Sequence, residues 1–308
     1  MSNQAMTPIT SILPASEWTF LAGSLRDFAA RAEDLCYVPN FGNAGDALIA
    51  SGAWQLFDTI GLRPRVICAA RVSKGASVIY AGGANLTPYY QDCARFLRRC
   101  MTVGVKEAVV LPHTIRGHGE LLQQLDERFT LVCRDLPSLE WCTTTVRAAR
   151  TMFSHDLALR LDVRNLQRRC RGLVPFAALI IRAGRARRLR RYLRWRRYSR
   201  SVQPVNGKLQ VFRTDIEAVP HHPGNRLQDI SGAYVSEYLD RVEHDFVARD
   251  LLDTVGRADV IVTNRLHIGI AGALLGKRVQ LYDNSYGKIC DVYQSSLKGC
   301  ALVSFDGE

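Results

Sequence analysis

The sequence predicts an α/β protein made of two doubly wound domains. Short apolar runs alternate with helical stretches between residues 35 and 159, and the runs are apolar throughout. That pattern is typical of strands in a parallel sheet covered by helices on both faces. The alternation stops near residue 171 and resumes at residue 209. We therefore expect an N-terminal domain over residues 1–170, an apolar and Arg-rich connecting segment over 171–206, and a C-terminal domain over 207–308.

The N-terminal domain opens with a predicted amphipathic helix over residues 15–33, in which Trp18, Leu21, Leu25 and Phe28 recur at helical spacing. Apolar runs then predict strands over residues 35–40, 65–70, 77–83, 107–114, 129–135 and 151–159. Helices are predicted after the glycine turn that follows the first of these strands, over residues 89–101, near 117–126 and from Ser138.

The C-terminal domain has the same pattern on a smaller scale. Strands are predicted over residues 209–215, 258–264 and 278–284, and helices over 246–256 and 267–276. Doubly wound sheets bind their ligands beyond the carboxyl ends of the strands. Functional residues are therefore expected in the turns that follow the strands, with the ligand in a cleft between the domains.

Composition narrows the class of protein. With 47% apolar and 23% charged residues, the 308-residue chain can bury a core and has the charge content of a soluble globular protein. The sequence contains no run of about 18 apolar residues, so no membrane-spanning helix is expected. The N-terminus lacks the basic start and the apolar region of a signal peptide. Nine cysteines without a CxxC pair do not form the pattern of a disulfide framework. These features favour the cytoplasm.

The net charge of +12 is concentrated in one segment. Residues 182–200 contain ten arginines and no acidic residue, so subtracting their +10 leaves +2 for the rest of the chain. A basic segment of this kind can bind an anionic membrane surface, and each basic residue near such a surface contributes roughly 1 kcal/mol at best. A solvated basic helix or a nucleic-acid-binding tail is the alternative.

The apolar residues of this basic segment favour the membrane. Ala186, Leu189 and Leu193 would fall on one face of a helix with Tyr192 beside them, whereas Trp195 would fall off that face. The apolar run before the arginines is too short to span a bilayer but could lie at its surface. The segment is therefore expected to hold the protein peripherally on the cytoplasmic face of the inner membrane, without binding nucleic acid.

Two glycine turns follow predicted strands at the same edge of the N-terminal sheet. In "NFGNAGDALI", Gly42 and Gly45 allow a positive φ angle or close backbone approach, and the helix after them presents N–H groups to an anion. Asn43 and Asp46 lie in the same turn, and Asp46 is a natural N-cap. A tight corner capped by the aspartate is the alternative. The second turn, "YAGGANLTP", contains Gly82, Gly83 and Asn85.

Two further strand ends contain residues that could bind a ligand. Arg134 ends one predicted strand, where its guanidinium can bind a carboxylate or a phosphate in bidentate geometry. A surface ion pair with Asp135 is the alternative. His155 and Asp156 follow the next strand, and a purely structural His–Asp pair is the alternative there.

The strongest signal lies in "VTNRLHIGIAGALLGKRVQLYDNSYGK". Asn264, Arg265 and His267 stand where a strand meets a helix, and Lys288 follows the next strand. Arg265 supplies a fixed positive charge, and His267 can donate or accept a proton near neutral pH. A purely structural role would not require these cations together at one sheet edge. The seven histidines show no metal-ligand spacing, so no metal is expected. Neither a Walker-type loop nor a GxSxG elbow is present.

Taken in order, these motifs resemble the polysaccharide pyruvyl transferase family. The resemblance extends from residue 37 to residue 288 and depends on the ordered set "NFGNAGDALI", "YAGGANL", "VCRD", "SHDLAL", "VFRTDIEA", "NRLHIGIAGALLGK" and "LYDNSYGK". No single motif is specific, but the set is. The arginines of residues 182–200 depart from the family pattern and look particular to this protein or its subgroup.

The resemblance implies a fold and a reaction. It implies two Rossmann-like domains arranged as in GT-B glycosyltransferases, and transfer of a pyruvyl group from phosphoenolpyruvate to a sugar as a ketal. By similarity, Arg265 and His267 fall on the family's donor-site arginine and histidine, and Arg134 and Lys288 on its other cationic positions. The expected acceptor is a glycan of an exopolysaccharide or cell surface, carried on a lipid, and no cofactor is required.

A GT-B-type glycosyltransferase that uses a nucleotide sugar is the alternative function. It would have the same fold and would also need cations for its diphosphate. Release of phosphate that depends on phosphoenolpyruvate separates the two, because a glycosyltransferase would not use that donor.

Overall fold

The structure, a computed structural model, describes residues 12–182, 186–219, 228–235 and 241–306. Side chains of residues 179–187 are not described. Within these ranges the chain forms two parallel β-sheets covered by helices. The predicted α/β class is therefore confirmed.

The first sheet has seven strands in the described part of the chain, and they pair in the order β2-β1-β3-β5-β6-β7, with β4 beside the carboxyl end of β5. Their bounds are β1 (Leu35–Val38), β2 (Arg65–Val66), β3 (Ser77–Tyr80), β4 (Gly83–Leu86), β5 (Glu107–Ile115), β6 (Phe129–Cys133) and β7 (Arg150–Phe153). The second sheet pairs in the order β11-β10-β9-β8, with β8 (Lys208–Val211), β9 (Val260–Thr263), β10 (Arg278–Leu281) and β11 (Val303–Phe305).

The α-helices pack around these sheets. Those of the first half are α1 (Thr19–Ala30), α2 (Ala44–Ile60), α3 (Asp92–Val103), α4 (Gly119–Gln123) and α5 (Leu136–Thr145). The others are α6 (Val163–Arg169), α7 (Leu173–Arg182), α8 (Ala186–Ser201), α9 (Arg241–Val255), α10 (Leu266–Leu274) and α11 (Lys288–Val292). A 3-10 turn at Leu157–Arg160 lies between β7 and α6. None of the helices in the described ranges is both long and apolar enough to cross a bilayer.

Helix α2 is the central helix of the molecule. Every residue from Ala47 to Phe57 is buried, and Gly61 ends the helix with a φ of 74°. A Cβ atom at Gly52 would stand 2.0 Å from the carbonyl oxygen of Leu157, so only glycine permits this contact with the 3-10 turn. The hydroxyl of Ser51 donates to the carboxylate of Asp245 on α9 at 2.9 Å.

Because α2 packs against α9, one hydrophobic cluster extends through both halves of the chain. It includes Leu48 of α2, Ala158 of the 3-10 turn, Val247 of α9 and Ile261 of β9, all fully buried. A second cluster fills the other face of the first sheet, between β5 and helices such as α3. The boundaries at residues 170 and 206, and the GT-B-like arrangement, stay predictions.

The Arg-rich segment packs differently from the expected amphipathic helix. Helix α8 buries Tyr192, Trp195 and Ser199, whereas Leu193 is 38% exposed. The Tyr192 hydroxyl donates to Asp250 of α9 at 2.6 Å, and Trp195 Nε1 donates to the Ile230 carbonyl at 2.9 Å. The prediction that Trp195 lies off the apolar face is wrong, because these hydrogen bonds and the aromatic packing decide which face is buried.

Several strands are shorter than the apolar runs that predicted them. The run at 65–70 forms only the two residues of β2, followed by a 3-10 turn at Ala69–Arg71. The run at 77–83 contains β3 and only the first residue of β4, Gly83, which has a φ of 150°. The predicted strand at 209–215 ends at Val211. Helix α9 begins five residues before the predicted start at residue 246.

Candidate active site

Loops that follow β1, β6, β8 and β9 line one cavity of about 250 Å³. Both halves of the chain contribute to it. Of the residues predicted from the sequence, seven line this cavity: Asn43, Asp46, Asn85, Arg134, Arg265, His267 and Lys288. The main cations predicted at the strand ends, Arg134, Arg265 and Lys288, therefore lie in one cavity.

A buried chain of charges connects His267 to Arg134. The Nε2 atom of His267 lies 3.3 Å from Oδ2 of Asp156, and the same oxygen accepts from Nη1 of Arg134 at 2.7 Å. Both side chains of the Arg134–Asp156 pair are 1% exposed. Burial alone would raise the pKa of the Asp156 carboxyl, but Arg134 and His267 together hold that pKa well below its usual value.

Arg134 is fixed from three sides. Its Nε atom donates to the hydroxyl of Thr114 at 2.9 Å, and its backbone N–H donates to the carbonyl of His113 at 3.1 Å. Its carboxylate partner is Asp156, so the alternative pairing with Asp135 is wrong. Asp135 instead caps α5 by accepting from the backbone N–H of Ser138 at 2.9 Å.

The first turn of α2 is capped by a different residue than predicted. Asn43 is the N-cap, and its side chain accepts from the N–H of Gly45 at 2.7 Å. Asp46 is the third residue of the helix and accepts from the N–H of Asn43 at 2.8 Å, which completes a capping box. Ser231 reaches the same turn from the second half, because its carbonyl accepts from the N–H of Ala44 at 3.2 Å. These N–H groups are therefore already bonded, and the expectation that they face an anion is wrong.

The two glycines of this turn are needed for close approach rather than for backbone freedom. Neither has a positive φ. A Cβ atom at Gly42 would stand 2.1 Å from the Asp46 carboxylate, and one at Gly45 would stand 2.8 Å from Nδ1 of His267. Gly45 thus makes room for the histidine, whose Nδ1 faces the start of α2.

A second charge cluster forms around Arg213 and Lys288. Arg213 donates to Asp215 at 2.8 Å and also pairs with Glu217. Lys288 Nζ donates to Glu217 at 2.6 Å and lies 5.3 Å from the centre of the Tyr286 ring. Burial, together with the nearby arginines, lowers the pKa of Lys288 to about 8 against the opposing effect of Glu217. Burial opposes ionisation of Glu217, but Lys288 and Arg213 lower its pKa.

Arg265 is more buried than its place at a strand end suggested. It is 6% exposed, and its guanidinium pairs with Asp229 and, at 2.8 Å, with Asp215. Burial of Asp215 opposes its ionisation, but Arg213 and Arg265 lower the pKa of this carboxyl to about 2. Asn264 does not line the cavity and instead accepts from the backbone N–H of Arg213 at 2.7 Å, so it positions that arginine.

The second glycine turn supports the cavity through Asn85. The Nδ2 atom of Asn85 donates to Oδ1 of Asn40 at 2.9 Å, and Asn40 donates to the carbonyl of Gly82 at 2.8 Å. A Cβ atom at Gly82 would stand 2.8 Å from a backbone carbonyl, and Gly83 has the positive φ noted above. These glycines shape the turn and do not line the cavity, whereas Ala84 and Asn85 do.

His155 is placed away from the cavity. Its Nδ1 atom lies 2.8 Å from the hydroxyl of Ser296, and its Nε2 lies 3.2 Å from the carboxylate of Glu17. It packs edge-on against Trp18 and Phe153. His155 therefore points away from the site that its neighbour Asp156 faces. Its two hydrogen-bonding partners, Glu17 and Ser296, lie far apart in the sequence.

Sequence reasoning named Asp156 beside His155 but not as the partner of His267, and it missed three acidic residues that hold the cations in place: Asp215, Glu217 and Asp229. The motif "VFRTDIEA" contains two of them beside Arg213, at the end of β8. The signal was therefore present in the chain. Asp229 follows none of the strands predicted from the sequence, so the strand-end rule could not locate it.

Comparison with known families decides the classification. The family model described as "Polysaccharide pyruvyl transferase" matches residues 43–286. The chain belongs to the polysaccharide pyruvyl transferase family. The match extends from the N-cap of α2 to Tyr286 beside Lys288, so it covers most of the cavity lining.

Structural comparison agrees with this pyruvyl transferase fold. A crystal structure of a functionally uncharacterized protein from Klebsiella pneumoniae has a TM-score of 0.73 to this chain and 23% sequence identity. The alignment covers 95% of this chain and 99% of that one. At this level of identity the likeness concerns the fold alone. No curated protein matches the chain significantly.

The cavity of this pyruvyl transferase family member contains matched charges. Arg134, Arg213, Arg265 and Lys288 each face at least one carboxylate, as described above. The carboxylates hold the cationic side chains extended toward one space, so little rotamer entropy remains to be lost when an anionic ligand binds. Such a site can hold a small molecule with two anionic groups beside an imidazole.

Proposed function

We propose that the protein transfers the pyruvyl group of phosphoenolpyruvate to a sugar of an exopolysaccharide or cell-surface glycan and forms a pyruvate ketal. The observation that carries the proposal is the cavity itself, in which His267 lies among four cations drawn from both halves of the chain. Phosphoenolpyruvate has a carboxylate and a phosphate, and guanidinium groups bind both in bidentate geometry.

In the proposed reaction His267 is the general acid. Asp156 accepts from Nε2 and stabilises the imidazolium, which leaves Nδ1 to give its proton to the methylene carbon of the donor. A sugar hydroxyl then attacks the adjacent carbon and returns a proton to the histidine. A second hydroxyl attacks the same carbon and the bond to the phosphate oxygen breaks. Phosphate leaves with the electron pair and takes up the proton of that hydroxyl as the ketal ring closes.

The cations have separate tasks in this scheme. Arg265 lies closest in sequence to His267 and is assigned to the donor, together with Arg134, while Lys288 and Arg213 balance the charge that phosphate gains as it leaves. The bound donor competes with the carboxylates for these cations, chiefly with Glu217 between Arg213 and Lys288. No cofactor is needed because the donor itself supplies the group that is transferred.

The acceptor and the place of reaction are part of the same proposal. A sugar on a lipid-linked repeat unit would be modified before export, at the cytoplasmic face of the inner membrane. All nine cysteines are free thiols, which suits a reducing compartment. We also propose that residues 1–170 and 207–308 act as two domains in a GT-B-like arrangement, with the donor between them.

Incubation with phosphoenolpyruvate and a panel of lipid-linked glycans tests the function. We expect donor-dependent phosphate release and the mass increase of a ketal on one glycan. His267→Ala should reduce turnover by about 100-fold or more. His155→Gln is the matched control, since that histidine lies away from the cavity, and it should retain turnover. Transfer from a nucleotide sugar without phosphoenolpyruvate would contradict the proposal.

A further inference from the structure

A second, larger cavity lies outside the candidate active site. It measures about 910 Å³ and is bordered by α6, by the 3-10 turn before it and by residues of α9 and α10. Its charged lining consists of five arginines and two aspartates: Arg160, Arg164, Arg168, Arg171, Arg249, Asp162 and Asp253. The excess of three positive charges indicates an anionic ligand.

Exposed arginines of α6 and of the residues just after it border this cavity. Arg164, Arg168 and Arg171 are exposed and follow one another at helical spacing. None of the three forms an ion pair within the part of the chain that the structure describes. Arg160 is half-buried at the cavity wall, where its guanidinium donates to the hydroxyl of Thr59 at 3.1 Å rather than to a carboxylate. Burial lowers the pKa of Arg160.

An apolar tip stands beside these arginines. Leu173 and Val174, in the first turn of α7, are 85% and 81% exposed, and no large hydrophobic residue in the described ranges is more exposed. The tip is held in place because Phe176, one turn further on, packs against Phe246 of α9 with ring centres 6.2 Å apart. Exposed aliphatic side chains next to arginines are typical of proteins that bind at a lipid–water interface.

Helix α8 adds a second row of charge near the candidate active site. Arg190, Arg194 and Arg197 are exposed, on the side opposite Tyr192 and Trp195. Arg191 donates to the carbonyl of Val235, a residue that lines the candidate active site. Helix α9 adjoins both the large cavity and α8. Arg249 of α9 lines the large cavity, and its guanidinium also lies 3.5 Å from the hydroxyl of Tyr192 on α8.

We propose that Arg164, Arg168, Arg171, Leu173 and Val174 form a docking surface for an anionic phospholipid bilayer, with a headgroup phosphate in the arginine-lined cavity and the apolar tip among the acyl chains. Nucleic acid would account for the arginines but not for the tip. Docking itself does not depend on the proposed reaction, although a lipid-linked acceptor would give it a purpose. The arginines of α8 would strengthen the attraction from the side.

Vesicle cosedimentation without any substrate tests the docking surface. The probes are phosphatidylcholine vesicles with and without phosphatidylglycerol, at low and high salt. One variant combines Arg164→Gln, Arg168→Gln and Arg171→Gln, and a second combines Leu173→Ser and Val174→Ser. The matched control combines Arg26→Gln, Arg71→Gln and Arg98→Gln, which removes the same charge from exposed positions elsewhere. Circular dichroism checks that each variant is folded.

We expect the parent to bind only the vesicles that contain phosphatidylglycerol. Both surface variants should bind at least about tenfold more weakly, and the control less than about threefold. High salt should weaken binding of the parent more than the residual binding of the arginine variant, because only the charge contribution is screened. Both surface variants should turn over a soluble acceptor like the parent, so a failure of docking and a failure of the proposed reaction are distinguishable.

Three results would overturn the proposal. The first is equal binding by the parent and the two surface variants. The second is an equal loss in the control, which would assign the binding to net charge. The third is loss of binding only when Arg190, Arg194 and Arg197 are changed to glutamine, which would move the surface to α8 alone. Competition by glycerol phosphate at low concentration would support the headgroup site in the cavity.

Discussion

Replacing Asp156 by asparagine should strongly destabilise the protein. Oδ1 of Asp156 accepts from the N–H of Ala158 at 2.8 Å, and Oδ2 accepts from Arg134. If the oxygen of the new amide still accepts from the N–H of Ala158, the amide NH₂ group points at the guanidinium of Arg134 and at Nε2 of His267. Hydrogen-bond donors of the amide would then face the hydrogen-bond donors of Arg134. Arg134 is then a buried charge without a partner, which typically costs about 3–5 kcal/mol of unfolding free energy.

Urea unfolding at neutral pH measures this cost. Glu107→Gln is a matched carboxylate-to-amide control, because Glu107 pairs with Arg31 at 2.8 Å but the two side chains are 18% and 45% exposed. An exposed pair of this kind contributes about 0.2–1 kcal/mol. The Asp156 variant should therefore lose several times more stability than the control, although each variant removes one salt bridge.

The pH dependence supplies a second test. The pKa of Asp156 is depressed in the folded protein, so its stabilising effect is fully present above the unfolded value of about 3.9 and is lost as the pH falls below it. The difference between the parent and Asp156→Asn should hence narrow in acid. A variant within about 1 kcal/mol of the parent at neutral pH, or a difference that persists unchanged in acid, would refute the buried-charge argument.

Three further results are expected. Gly45→Ala should lower turnover at least tenfold with little change in the urea midpoint, because the Cβ of the new alanine would displace His267. Full activity of this variant would contradict the prediction. The donor KM should rise as the pH passes about 8, where Lys288 loses its charge, and Lys288→Arg should move that rise to higher pH; a flat profile would refute it. Trp195→Ala should lower the free energy of unfolding by about 3–5 kcal/mol and Leu193→Ala by less than about 0.5 kcal/mol, as measured by thermal or urea unfolding. Equal losses would contradict the burial of Trp195 and the exposure of Leu193 on α8.

The sequence predicted the sheet edge well because strand ends are a local property. Apolar runs that end in polar residues located Arg134, Arg265 and Lys288, and the parallel topology brought them to one cavity. Their partners could not be found in this way. Asp229 and Ser231 lie in the described stretch 228–235, which contains no helix or strand, and only tertiary packing brings them to Arg265 and α2.

The errors have separate physical origins. Residue type favours Asp46 as the cap, but Asn43 is the cap because its backbone is extended, with a ψ of −176°. The spacing of the aliphatic residues predicts Trp195 off the buried face, whereas Ile230 offers it a hydrogen-bond acceptor and Tyr234 an aromatic partner. The strand-end position favours His155 together with Asp156, although adjacent residues after a strand point in different directions.

The packing of α2 has a consequence for how the molecule folds. Gly52 seats this helix directly on the 3-10 turn, and Ser51 ties it to Asp245 of α9, so its apolar surface is divided between the two halves. Neither half alone can cover that surface. Synthesised separately, each fragment would expose part of the shared core and aggregate, whereas the intact chain should melt in one cooperative transition. The candidate active-site cavity, which is lined by residues of both halves, is accordingly assembled only in the intact chain.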